Sequence, residues 1–129
     1  MTAGNEETIR ALKRKASEAL SDAEMLLERG SEEAVINRSY YAVFSTARAA
    51  LLLKDESPNT HAGVIRRFGY HFVRTGRISE EIGDTLTTAE SMRGDADYNA
   101  FSEFDRNEAA QLYQDAHRFV EIVNEQLLS

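Results

Sequence analysis

The chain predicts an all-α fold, an antiparallel up-down bundle of four to five helices, on three observations. Its 129 residues include one proline and seven glycines, so strong helix breakers are few. Apolar residues recur at a spacing of about 3.6 over long stretches, and no alternating run of strand length stands out. The polar connections between those stretches are short, which favours antiparallel neighbours.

The first helix has Asn5 as its expected cap, with Glu6 and Glu7 in its first turn, and runs along Ile9, Leu12, Ala16, Leu20, Ala23 and Leu27 until Gly30. Ser31 caps the second, whose stripe is Val35, Ile36, Tyr40, Val43, Phe44, Ala47 and Leu51, with an end near Lys54. This helix is rich in small residues (Ala42, Ser45, Ala47, Ala49, Ala50), as suits a segment that other helices approach closely. The segment "DESPNT" forms a loop, and a third helix restarts around Pro58 to Thr60, where proline is tolerated. It buries Val64, Ile65, Phe68 and Phe72 and stops near Gly76. Ser79 caps a fourth, with Ile82, Leu86 and Ala89 inward. "RGDADYNAF" (93–101) then reads as a loop in which Gly94 makes the turn, an aspartate side chain supports it, and Tyr98 and Phe101 cover the bundle end. Asp105 and Glu108 have capping-box spacing for the last helix, whose stripe is Ala109, Leu112, Ala116, Phe119, Val123 and Leu127. One domain over residues 1–129 accommodates all of this.

Composition excludes several chemistries. With no cysteine there is no disulfide, thiolate metal site or cysteine nucleophile. No G-x-S-x-G element and no phosphate-cradling glycine loop is present. The three histidines, His61, His71 and His117, form no convincing metal set, and neither a metal nor a cofactor is expected. His61 reads as a structural residue at a helix start. No secretory signal or membrane span is evident, so a cytoplasmic protein is expected.

Net charge is −7, which argues against general nucleic-acid binding. The distribution qualifies that. From Ser57 to Ser79 there is no acidic residue but four arginines, while the rest of the chain is −11. At helical pitch, positions 66, 70, 74 and 77 fall within about 80° of one another. One face of the third helix therefore presents Arg66, Tyr70, Arg74 and Arg77, with Arg67 and His71 at its edge. Guanidinium groups beside an aromatic ring suit phosphates and unstacked bases. A solvated face, or one paired with acidic neighbours, is the other reading of the same pattern.

Three segments, "NRSYYAVFSTARAALL" (37–52), "SPNTHAGVIRRFGYHFV" (57–73) and "RGDADY" (93–98), resemble in order the HEPN domain in its small stand-alone prokaryotic branch. The resemblance implies a helical bundle that forms a homodimer and pairs with a minimal nucleotidyltransferase in a toxin–antitoxin-type system. Joined to the arginine face read above, it leads to the expectation of contact with nucleotide or RNA through Arg93 and that face. Many members of the wider family are metal-independent ribonucleases with an R-x4–6-H motif. Here the positions that would hold its histidine are Tyr98, Asn99 and Ala100. Arg66 and His71 have the spacing, but in the wrong element. Arg93 and Asp97 are thus the catalytic candidates if the chain is a ribonuclease, and Tyr98 approximates the family's adenylylation target. A non-catalytic interaction module is the third reading.

Overall fold

The computed structural model describes residues 3–101 and 103–129, and among these five helices and no strand occur. α1 (Ala3–Arg29) and α2 (Glu32–Leu52) form a long hairpin turned by Gly30, whose φ of +76° is a conformation that favours glycine. α3 (His61–Phe68) runs directly into a π-turn over Gly69–Val73, closed by the Arg74 amide on the Gly69 carbonyl at 2.8 Å. α4 (Glu80–Tyr98) and α5 (Arg106–Val123) follow, and α5 ends in a second π-turn, Asn124–Leu128.

α2 is the central helix, in contact with each of the other four. The small residues that the sequence concentrates there, Ala42, Ser45, Ala47, Ala49 and Ala50, are all buried, which lets the surrounding backbones close in. Phe68, Phe72 and Phe119 fill the space between the α3 segment and α5, with ring centroids 5.2 and 5.5 Å apart. Each full burial of such a ring contributes about 2–3 kcal/mol. The inward residues expected for α4 and α5 are all buried in one shared core.

The caps follow the sequence in most places. Ser79 accepts from the Ile82 amide, and Asp105 with Glu108 forms a complete capping box. Thr60 caps α3 by accepting from the Gly63 amide at 2.9 Å. Ser31 precedes α2 without a side-chain cap bond. Asn5 is not a cap: α1 already begins at Ala3, and the Asn5 amide instead donates to Asp55 Oδ1 at 2.8 Å, tying α1 to the end of the α2 connection.

The largest correction concerns residues 93–98. They are the last turns of α4, not a loop, and Gly94 lies inside the helix. A ladder of side chains explains why: Arg93 reaches back to Glu90 and forward to Asp97, at the i,i+3 and i,i+4 spacings that adjoin on a helix surface. The chain turns only at Asn99–Phe101, where the Asn99 side chain accepts from the Phe101 amide. Tyr98 and Phe101 do not cover the bundle end; they are 82% and 93% exposed.

Candidate functional site

Two regions contain the residues singled out above, and they differ in how their arginines are partnered. The first lies where α2, α3 and α4 meet. Arg93 donates to Glu90 through Nε and Nη2, at 3.3 and 2.8 Å, and to Asp97 through Nη1 at 2.9 Å. Its guanidinium lies 4.9 Å from the Tyr40 ring centroid and 6.0 Å from that of Tyr98. The side chain is only 14% exposed. Two of the chain's own carboxylates neutralise Arg93, so in the single chain it is not a bare cation. Asp97, read as a catalytic candidate, is one of those counter-ions.

Glu90 is the hub. Its Oε2 meets both Arg93 Nε and His61 Nδ1 at 3.3 Å. Burial would raise the carboxyl pKa, but hydrogen bonds from Arg93, His61 and Tyr40 outweigh it and hold the group ionised. Tyr40 Oη lies 2.5 Å from His61 Nδ1. Burial, followed by the Glu90 charge, pushes the Tyr40 phenol up, so it stays protonated. The His61 ring is seated against Phe44 and Tyr40, with centroids 4.6 and 5.6 Å away.

His61, Glu90 and Tyr40 are therefore site members that sequence reasoning left out. Glu90 was findable from its i,i+3 spacing to Arg93. His61 and Tyr40 lie 32 and 53 positions before Arg93, and only the packing of three helices brings them there.

The second region is the outer face of the α3 segment. Arg66, Tyr70, Arg74 and Arg77 are all exposed, but the single α-helix expected to carry them is not continuous: α3 ends at Phe68, Tyr70 lies in the π-turn, and Arg74 and Arg77 follow it, Arg77 after the positive-φ Gly76. Tyr70 has guanidinium groups against its ring from Arg67 at 4.6 Å and Arg74 at 4.1 Å. Arg67 is the exception to the face. It forms a bidentate pair with Glu56, at 2.6 and 2.9 Å, and His71 hydrogen-bonds the same carboxylate. Those bonds, from Arg67 first and His71 second, bring the Glu56 pKa down to about 2. Arg66, Arg74 and Arg77 make no ion pair with any carboxylate among the described residues.

Among the described residues no group of three or more histidine, aspartate or glutamate side chains could hold a metal ion, and no helix is long and apolar enough to cross a membrane. The HEPN domain model matches residues 9–126, nearly the whole chain. The chain belongs to the HEPN domain family. A Methanocaldococcus jannaschii protein named "Putative toxin MJ0605" is 38% identical over 121 residues, covering 94% of this chain and 90% of the relative. A second protein of that organism, "Putative toxin MJ0142", is 30% identical over 115 residues, 89% of this chain and 78% of the relative. A "UPF0332 protein" of Thermotoga maritima is 32% identical over 118 residues, 92% of this chain and 89% of the relative. The helical bundle is thus that of a HEPN domain, in a toxin-like branch of prokaryotic relatives.

Proposed function

We propose that this HEPN domain is the RNA-binding, toxin-type partner of a minimal nucleotidyltransferase, and that it holds RNA along the face made by Arg66, Tyr70, Arg74 and Arg77. One observation supports this above the others: in a chain of net charge −7, Arg66, Arg74 and Arg77 are exposed without a carboxylate partner among the described residues, and Arg74 rests on the ring of exposed Tyr70. An acidic protein gains nothing in fold stability from clustering free cations. Such a cluster does attract a polyanion, and the phenol ring between guanidinium groups is a platform for an unstacked base.

The rest of the reading follows the family. Two copies pair through the end of α4, where Tyr98 and Phe101 stand in solvent, and the resulting homodimer sets the two Arg93 sites near each other. Tyr98, the exposed phenol beside Arg93, is the group the nucleotidyltransferase would modify.

Fluorescence anisotropy with a labelled short single-stranded RNA tests the central claim. Three phosphate contacts predict a log–log salt slope of about −2. Replacing Arg66, Arg74 and Arg77 together by alanine should abolish binding and the salt dependence. RNA affinity unchanged in that variant would refute the reading. Light scattering of wild type against Tyr98→Ser/Phe101→Ser tests the pairing. Mass spectrometry after coexpression with the nucleotidyltransferase tests the modification of Tyr98.

A further inference from the structure

The arginine face has a counterpart elsewhere on the molecule. Between α4 and α5 runs a groove of about 380 Å³. Buried Leu112 and half-buried Met92 give it an apolar floor, and Asp105, Glu108 and Asp115 stand on its rim. Among the described residues that line it none is basic. The start of α5 explains how the carboxylates are held there. Asp105 and Glu108 exchange the two hydrogen bonds of the capping box, at 2.8 and 3.1 Å. Gln111 donates to Asp115 Oδ1 at 2.9 Å, across the i,i+4 spacing of one helix face. These bonds orient the carboxylates without cancelling their charge. None of the three has an ion pair among the described residues.

An apolar floor under a rim of carboxylates fits an apolar side chain flanked by cations. Met25, Tyr70, Tyr98 and Phe101 are the large apolar side chains exposed among the described residues. Tyr98 and Phe101 lie among Asp95, Asp97 and Glu103 in the sequence, so the rim would repel them. Met25 shares its patch with Asp22 as well as two arginines. Tyr70 lies in the segment from Ser57 to Ser79 that has no acidic residue, with Arg74 4.1 Å from its ring. The spacings also agree. Arg66 and Arg74 stand eight residues apart around Tyr70, at most about 12 Å of helical backbone. Glu108 and Asp115 stand seven apart around Leu112, about 10 Å.

We propose that the arginine face of one copy docks in the α4–α5 groove of a second copy, with Tyr70 over Met92 and Leu112 and the arginines against Glu108 and Asp115. The net charge of −7 on each copy opposes this only weakly. At about 0.15 M salt, charges more than about 8 Å apart are largely screened, so the pairs that meet in the contact decide it. A face seated in a groove is a head-to-tail contact, and the assembly either closes on itself or keeps growing. This contact is separate from pairing through the end of α4, and it does not require RNA to be the ligand of the face. It does cover that face, so a polyanion bound there must displace the neighbouring copy.

Sedimentation of the full chain carrying Tyr98→Ser/Phe101→Ser tests the contact with pairing at the α4 end removed. The average mass should rise with concentration. Adding Arg66→Ala/Arg74→Ala/Arg77→Ala, or Gln111→Arg/Asp115→Arg, should weaken the association about tenfold or more, as a few exposed ion pairs allow. Both sets are surface changes that leave the capping box intact. An equimolar mixture of the two variants should associate again and stop at two chains, because it holds one working face and one working groove.

A mass that stays that of one chain up to about 1 mM overturns the proposal. So does association that either variant leaves at full strength, or a mixture that stays dissociated. Should the groove variant fail to fold by circular dichroism, Asp115→Asn takes its place, and undiminished association there overturns the docking. Short single-stranded RNA in excess separates this contact from the function proposed above. RNA that binds and leaves the assembly intact overturns the docking and leaves the RNA-binding function standing. RNA that does not bind, with the variants behaving as expected, does the reverse.

Discussion

Arg93 and Arg74 are the same residue type in the same bundle, and their surroundings are opposite. Arg93 is 14% exposed, with Glu90 and Asp97 on its nitrogens and Tyr40 under its plane. Arg74 is exposed, its Nε donates to the Tyr70 carbonyl, and its guanidinium rests on the Tyr70 ring. A guanidinium enclosed by its own carboxylates is aimed and held; one without them is available. The contrast shows that counting arginines on a face says little until their counter-ions are known.

The sharpest way to break the contrast is to remove each cation in turn. Arg93→Ala leaves two carboxylates facing each other, one of them partly buried. It should lower unfolding stability by about 2 kcal/mol, less than a fully buried pair would lose because Asp97 reaches solvent. Arg74→Ala should change stability by no more than about 0.5 kcal/mol. Urea denaturation of both variants gives the answer, and equal losses would erase the distinction. RNA binding should respond in the opposite sense for the open cation, with Arg74→Ala making the salt slope shallower by about 0.7.

Arg67 is the intermediate case, and Glu56 is what makes it so. In Glu56→Gln the pair loses its charge, Arg67 joins the open face, and the salt slope for RNA should steepen by about 0.7. The same substitution has a signature in acid. Hydrogen bonds from Arg67 and His71 lower the Glu56 pKa in the folded chain to about 2, against an ordinary 4.5. A depressed carboxyl pKa contributes stability above the ordinary value, and that contribution is lost as pH falls from about 4.5 towards 2. Melting temperatures followed over this interval should therefore drop less steeply for Glu56→Gln than for wild type.

How much of this was legible in the sequence differs between the two regions for a physical reason. Helical periodicity is local, so the stripes of α4 and α5 and the caps at Ser79 and Asp105 follow from the pattern along one segment. The Arg93 site is assembled from three helices. Spacing within α4 could have revealed Glu90, but nothing local tells that His61 meets Glu90 across 29 positions. Arg67 fell on the face by angle and left it by pairing with Glu56, a residue of the preceding loop that periodicity does not address. The π-turn at Gly69–Val73 is also silent in the sequence, since it answers to packing: α4 approaches so closely there that a Cβ on Gly83 would lie 2.7 Å from Val73 Cγ2.

The smallest expected effect bears on why the Arg93 site exists at all. Residues 93–98 read as a loop because glycine and two aspartates are poor helix formers, yet they are helical. Side-chain pairing at i,i+3 and i,i+4 supplies only a few tenths of a kcal/mol per exposed pair, somewhat more where Arg93 is partly buried. That gain sits close to the cost of about 1 kcal/mol for glycine within a helix. The last two turns of α4 are thus near balance, and the positions of Asp97 and Tyr98 depend on them. A Cβ on Gly94 would meet nothing within 4 Å, and its φ lies outside the left-handed region, so alanine fits without strain. Gly94→Ala should raise stability by about 0.5–1 kcal/mol and slow amide exchange from Asp95 to Tyr98, leaving the α3 face and its salt slope untouched. If exchange there is already as slow as in the middle of α4, the side-chain ladder alone holds the helix and the near-balance is wrong. If Gly94→Ala destabilises the chain, the helix does not extend through this position, and Arg93 cannot be gripped by Glu90 and Asp97 at once.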